Sequence, residues 1–255
     1  MIDLIKEINL DTFIISDLHF AHSRILQFEP VRVEYLSDYN SDVMLECQEL
    51  LTLLNLIPRE QRYNHTEINT LCKFLLPFHD EMIIEKWNMT VGDEDLILCL
   101  GDFAFSDVKK YTELLNGRKI LLMGNHDRNS VSEYYDSGWN YVISTVHENI
   151  ALDEDITIPE IIQTDKHCSG LFKTIEQHKI LFSHYPIFNT SLYDNKFSKI
   201  TEILESMYSN NNATINIHGH THSSKSTFPN AISASIEYCA SLSPITIRAL
   251  MEKNQ

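Results

Sequence analysis

Several features are missing from this chain, and each absence narrows what it can be. Its five cysteines, Cys47, Cys72, Cys99, Cys168 and Cys239, are odd in number, widely scattered and never in a C-x-x-C pair. That spacing suits reduced, packed thiols and argues against a disulfide framework or a structural zinc knuckle. No apolar run approaches the roughly 20 residues that span a bilayer, and the start, with Asp3, Lys6, Glu7 and Asp11, lacks a signal-peptide pattern. A soluble, cytoplasmic chain with no membrane partner is therefore expected. Positive charge is scarce as well: 20 Lys and Arg stand against 36 Asp and Glu, a formal net charge of -16. Such a body repels polyanions at long range, so no stable nucleic-acid binding is expected, although a local cationic site could still accept one phosphate. Internal repeats and low-complexity tracts are absent too.

What is present is an ordinary globular composition, 43% hydrophobic and 22% charged over 255 residues. That length suffices for one α/β domain over 1–255 with a well-buried core. Apolar, β-branched stretches at 12–16, 95–100 and 119–123 predict strands. Each runs into a polar turn: Asp17-Leu18-His19, Gly101-Asp102 and Gly124-Asn125-His126-Asp127. A helix over 107–116, closed by Gly117, completes two strand-helix-strand passes, the mark of a layered α/β fold with ligands at the carboxyl ends of strands. Further on, 171–175 and 178–182 predict a hairpin ending at Ser183-His184. A helix is expected over 196–208, a strand over 214–217 feeding Gly219-His220-Thr221-His222, and a last strand over 231–238. The 141–162 stretch reads as mixed β and loop with an acidic patch, Asp153-Glu154-Asp155. Leu-rich helical spacings over 35–78, broken at Pro58, predict an inserted pair of helices, followed by a separate helix over 79–89.

The polar turns carry metal-capable and acid/base side chains. In an Asp-x-His at a strand end, residues i and i+2 share a face of extended backbone and can hold one ion together. His220 and His222 can do the same, or be splayed by a turn toward two neighbouring ions. Imidazole suits Mn, Fe, Zn or Ni, while carboxylate and amide oxygens favour harder ions such as Mn. Each fragment alone is weak: Gly-Asp is most often a simple turn, and Gly-Asn-His-Asp can be only a capped loop. Their order, with a lone His184 between, carries the signal.

In that order, D-x-H, G-D, G-N-H-D, a single His and G-H-x-H resemble the calcineurin-like metallophosphoesterase superfamily. The runs Ser16-Asp17-Leu18-His19-Phe20-Ala21-His22, Leu100-Gly101-Asp102-Phe103, Asn116-Gly117-Arg118-Lys119, Ser183-His184-Tyr185-Pro186 and His218-Gly219-His220 resemble its small bacterial and phage-type members. The resemblance implies a two-sheet β-sandwich flanked by helices, and two divalent ions, Mn first with Fe, Zn or Ni as alternatives. It implies that Asp17, His19 and His222 bind one ion, Asn125, His184 and His220 the other, and that Asp102 bridges them. Two divalent ions offset by two aspartates and one hydroxide leave about +1, which attracts a phosphate anion.

The implied reaction is hydrolysis of a small phosphate ester, a nucleotide among the candidates, by in-line attack of a metal-bridging hydroxide. A diester is placed ahead of a monoester. His126 would protonate or stabilise the leaving oxygen, with Asp127 orienting it; His22 and Arg128 would touch the substrate phosphate. His218 is expected to pack, as are His65, His79, His147, His167 and His178, unless they lie on the surface. Rival expectations are a nuclease and a non-catalytic scaffold of the same fold. The scaffold should have lost ligands, which this chain has not. The 35–78 insertion is expected either to pack on the domain edge or to cap the metal site and size the substrate. The acidic segment after His147 receives no role.

Overall fold

The computed structural model describes residues 2–144, 146–147, 169–188, 198–224, 226 and 228–254. Among them, two five-stranded sheets stack face to face. The first is built from β1 (Phe13–Ile15), β2 (Leu96–Cys99), β3 (Arg118–Leu122) and β4 (Tyr141–Ile143), all parallel and in sequence order. The second follows with β5 (Val146–His147), β6 (Gly170–Ile175), β7 (His178–Ser183), β8 (Ile215–His218) and β9 (Ala231–Ser233). The short β10 (Ile245–Thr246) returns to pair antiparallel with β1 at the edge of the first sheet. The expected hairpin is β6–β7, and the expectation of a two-sheet α/β sandwich flanked by helices matches this architecture.

The period-two alternation of each strand decides the layers. In β2, Leu98 faces the second sheet, whereas Ile97 and Cys99 face the helices; in β3, Ile120 and Leu122 turn inward and Leu121 outward. The inner layer is completed by Leu171, Ile180, Phe182 and Ile217 from the second sheet. Every side chain of β2 is buried, as a parallel strand covered on both faces requires.

The helices before and between the parallel strands, all but the first, pack on one outer face. They are α1 (Ile2–Glu7), α2 (Ile25–Phe28), α3 (Pro30–Tyr39), α4 (Met44–Leu56), α5 (Arg59–Arg62), α6 (Thr66–Thr90), α7 (Val108–Leu114) and α8 (Val131–Asp136). Of these, α1 joins the inter-sheet core through Ile5. From α3 to α8 the buried residues, Leu36, Leu50, Leu75, Trp87, Tyr111 and Tyr134 among them, form one cluster with the outer side of the first sheet. The other sheet is covered by α9 (Ser198–Asn210), whose Ile200 and Leu204 meet Phe172 and Leu181, and α10 (Ile247–Glu252) closes the chain.

Two expectations are corrected here. The separate helix over 79–89 does not exist: α6 runs unbroken from Thr66 to Thr90 through Pro77. Its buried residues, Leu71, Leu75, Met82, Ile83 and Trp87, keep one helical face across the proline, so packing outweighs the proline penalty of about 3 kcal/mol. The last strand stops at Ser233 rather than 238, because Ser235 and Glu237 are drawn off the sheet toward the polar turns, as shown below. The 35–78 segment packs on the helical face of the first sheet through Leu36, Cys47, Leu54, Ile68 and Leu71. Cys168, most of 141–162 with its acidic patch, and the start of the 196–208 helix lie outside the described residues. The four described cysteines are free and buried, and no described helix is long and apolar enough to cross a membrane.

Candidate metal centre

The polar turns meet where β1, β2, β3, β7 and β8 end. Backbone bonds hold them side by side: Asp17 N–H donates to Gly101 O (3.0 Å), His19 N–H to Asp102 O (3.0 Å) and Gly219 N–H to His184 O (3.0 Å). Two glycines permit this approach. A Cβ on Gly219 would collide with the Ser16 and Asp17 side chains, and one on Gly124 with Asp102 and His184.

The Asp17-Leu18-His19 segment is not extended, contrary to expectation, and the turns at Asp102 and at His220 and His222 bend in the same way. Asp17 (φ 60°), His19 (55°), Asp102 (54°), His220 (67°) and His222 (47°) are all left-handed. Such backbone costs about 1–2 kcal/mol per non-glycine residue, and it clusters where function demands it. Alternating left-handed residues turn Asp17 and His19 to one side by a route that strand geometry does not provide.

Two groups of side chains converge there. Asp17, His19 and His222 each offer a ligand atom within 4.8 Å of the others, and so do Asp17, Asp102 and His184. Asp17 therefore belongs to both. Asp102 lies between them, with Oδ2 3.5 Å from His19 Nε2 and Oδ1 3.6 Å from His184 Nε2. His184 Nδ1–H donates to Leu100 O (2.8 Å), so its Nε2 presents a lone pair, and that lone pair faces Asn125 Oδ1 at 3.0 Å. His19 Nε2 is buried without a hydrogen-bond partner. Lone pairs and carboxylate oxygens crowded in this way are a donor set that a divalent cation satisfies. His220 stands beside the second group, its ring 5.2 Å from that of His184, while its backbone N–H donates to the Asp17 carboxylate (2.9 Å). The pair His220 and His222 is thus splayed.

The protonation states agree with ion binding. Burial holds His19 well below the ordinary imidazole range and His184 at about 3, so both are neutral, the form that ligates. Burial, then the neighbouring Asp17 and Asp127, pushes the Asp102 carboxyl well up, a strain that a cation would relieve. His222 differs: burial opposes its charge, but the Glu237 carboxylate overrides this and lifts it to about 9.

Asp127 does not orient His126. Its carboxylate accepts from the backbone N–H of Gly124 (2.7 Å), Asp102 (2.8 Å) and Phe103 (3.1 Å) and from the Tyr134 hydroxyl (3.1 Å). It ties two turns together and has no oxygen facing the imidazole. His126 is held instead by its own N–H, donated to Asp102 Oδ1 (2.8 Å), and its Nδ1 has no partner. Burial, then the Arg128 charge, pushes its pKa down to about 4. His22 stacks on Phe105 (3.8 Å between centroids) with Nδ1 3.2 Å from His19 Nδ1, and Arg128 is exposed beside His126.

Sequence reasoning missed Ser235, whose hydroxyl donates to Asp17 Oδ2 (2.7 Å), and the buried Arg32 and Glu237. It missed Phe105 too, which touches His19, His22 and His126. None lies in a motif, and only the aromatic two residues after Phe103 left any trace in the sequence.

A family model described as calcineurin-like phosphoesterase matches residues 11–224. An uncharacterized protein of Methanocaldococcus jannaschii is 34% identical over 77 residues, 27% of this chain and 44% of that protein, so the chain spans less than half of that relative. The gene 66 proteins of Mycobacterium phages D29 and L5 are 27% and 24% identical, over 58% and 57% of this chain and 67% and 65% of theirs. The crystal structure of a protein of unknown function from Aquifex aeolicus superposes with a TM-score of 0.58. It covers 95% of this chain and 98% of that one at 19% identity, a likeness of fold alone.

Proposed function

Because the chain belongs to the calcineurin-like phosphoesterase family, in its phage and bacterial form, we propose that it is a two-metal hydrolase of small phosphate esters. The observation that carries this is the pair of ligand groups sharing Asp17, with Asp102 between them. Two divalent cations held there, Mn first, would activate water and neutralise charge developing on phosphorus-bound oxygens.

The chain's own residues set the rest. Asp17, His19 and His222 would hold one ion and Asn125, His184 and His220 the other, with Asp102 between the two groups and Asp17 within reach of both. His126, fixed through its backbone on Asp102, carries a buried Nδ1 without a hydrogen-bond partner. It would give a hydrogen bond or proton to the leaving oxygen, and a bound phosphate anion would oppose the depression of its pKa. His22, braced by Phe105, and the exposed Arg128 would contact the phosphate. A body of net charge -16 penalises a dianionic monoester more than a monoanionic diester, which places diesters first.

Assay of aryl phosphate diesters and monoesters with added Mn²⁺, beside Asp102→Asn, tests the proposal. Diester turnover that vanishes in Asp102→Asn is the expected result. Protein that binds no metal and turns over neither ester overturns it.

A further inference from the structure

We propose that Glu237 is the positioning residue of the first ion group, fixing the His222 imidazole while Arg32 fixes Glu237. This rests on the metal-binding reading above and extends it to Arg32 and to Glu237, the latter outside the 11–224 match.

After β9 the chain leaves the sheet and runs along the Asp17 turn. Ser235 bridges Ser16, Ile236 N–H donates to Ser16 O (2.9 Å), and the Ser235 hydroxyl donates to Asp17. Glu237 therefore arrives beside His222, its side chain only 2% exposed. Its Oε1 accepts from His222 Nδ1 (3.2 Å) and from Arg32 Nε (2.7 Å), with Arg32 Nη2 at 2.5 Å. The rest of the Arg32 guanidinium is equally committed: Nη1 donates to Leu18 O (2.9 Å) and Nη2 to Asp17 O (2.6 Å). Arg32 is wholly buried.

Stability alone does not explain such a network. Moving two charges out of water costs several kcal/mol per ion, and an apolar pair of similar volume is often at least as stable. The network instead does something an apolar pair cannot. A carboxylate only accepts, so the nitrogen facing it must be Nδ1–H; this leaves Nε2 as the lone pair that His222 can offer toward Asp17 and His19. One guanidinium fixes the Asp17 and Leu18 carbonyls and the Glu237 carboxylate together, so the two halves of the first ion group, Asp17 with His19 on one side and His222 on the other, more than 200 residues apart in the sequence, are referenced to a single rigid plane.

The test is titration of chelator-stripped protein with Mn²⁺, wild type against Glu237→Gln, which preserves shape and removes the charge. Wild type should take up two ions. Glu237→Gln should hold one with unchanged affinity and the other about 10- to 100-fold more weakly, the same ion that His222→Ala loses. A merely structural role would lower the melting temperature without singling out one ion. Uptake of both ions at wild-type affinity, or equal weakening of both, overturns the proposal. Should Glu237→Gln not fold, Glu237→Asp decides: it keeps the negative charge that offsets buried Arg32 but shortens the reach to His222, and the same selective weakening is expected. If wild type binds no ion, the metal-binding reading itself fails, an outcome distinct from two ions bound equally by wild type and variant.

Discussion

Removing the Asp127 carboxylate would strand three backbone N–H groups and the Tyr134 hydroxyl at once. At about 1–3 kcal/mol per orphaned buried donor, Asp127→Ala should lose about 3 kcal/mol or more in chemical denaturation. A loss below about 1 kcal/mol would contradict the clamp. His126→Ala, by contrast, should keep both ions in metal analysis while turnover falls about 10²- to 10⁴-fold, the usual worth of a positioned acid. Ion uptake should also depend on pH, with a sign fixed by two groups. His222, lifted to about 9, holds a proton in the ion-free protein that an arriving cation must displace, and the upward push on Asp102 by burial and the neighbouring carboxylates acts in the same direction. Affinity therefore falls as pH falls, up to about tenfold per unit for each proton released. His19 and His184, already neutral through burial, add nothing to that slope. Titration in weakly acidic and weakly alkaline buffer measures it, and Asp102→Asn should flatten it.

Among the elements, α6 is where local rules and packing conflict most openly. Pro77 sits on the exposed side of a helix whose other face, Leu75 to Trp87, is buried. Pro77→Ala restores a backbone donor and should stabilise the protein, by less than the full ~3 kcal/mol because the helix is already shaped around the ring. A thermal or urea melt checks this; destabilisation would mean that the proline ring itself is needed for packing. The strands were more legible than the helices. Runs such as Leu96 to Cys99 are apolar at every position and stop at a glycine, so their existence and ends follow from the sequence. The merging of 66–78 with 79–89, and the stop at Ser233, followed from contacts made with residues distant in the chain.

At the scale of the whole molecule, the ions and the fold should be coupled. Ligands come from both sheets, so an ion bound only in the native state links them. At a free Mn²⁺ concentration about 100-fold above Kd, stabilisation should be about 2.7 kcal/mol per ion. A thermal shift on adding Mn²⁺ to chelator-stripped protein reads it, and the shift should shrink in Asp102→Asn. The sequence by itself determined the layered fold and the turns whose side chains converge, because apolar strand runs and the turns that follow them are local signals, and Asp17, His19, Asp102, Asn125, His184, His220 and His222 all sit in such turns. Only the tertiary structure decided the rest: the left-handed backbone that aims Asp17 and His19, the use of Asp127 as a clamp, and the arrival of Ser235, Glu237 and Arg32. The physical reason is that each of these depends on a partner up to 218 residues away, and a hydrogen bond across that separation leaves no periodicity in the chain to read.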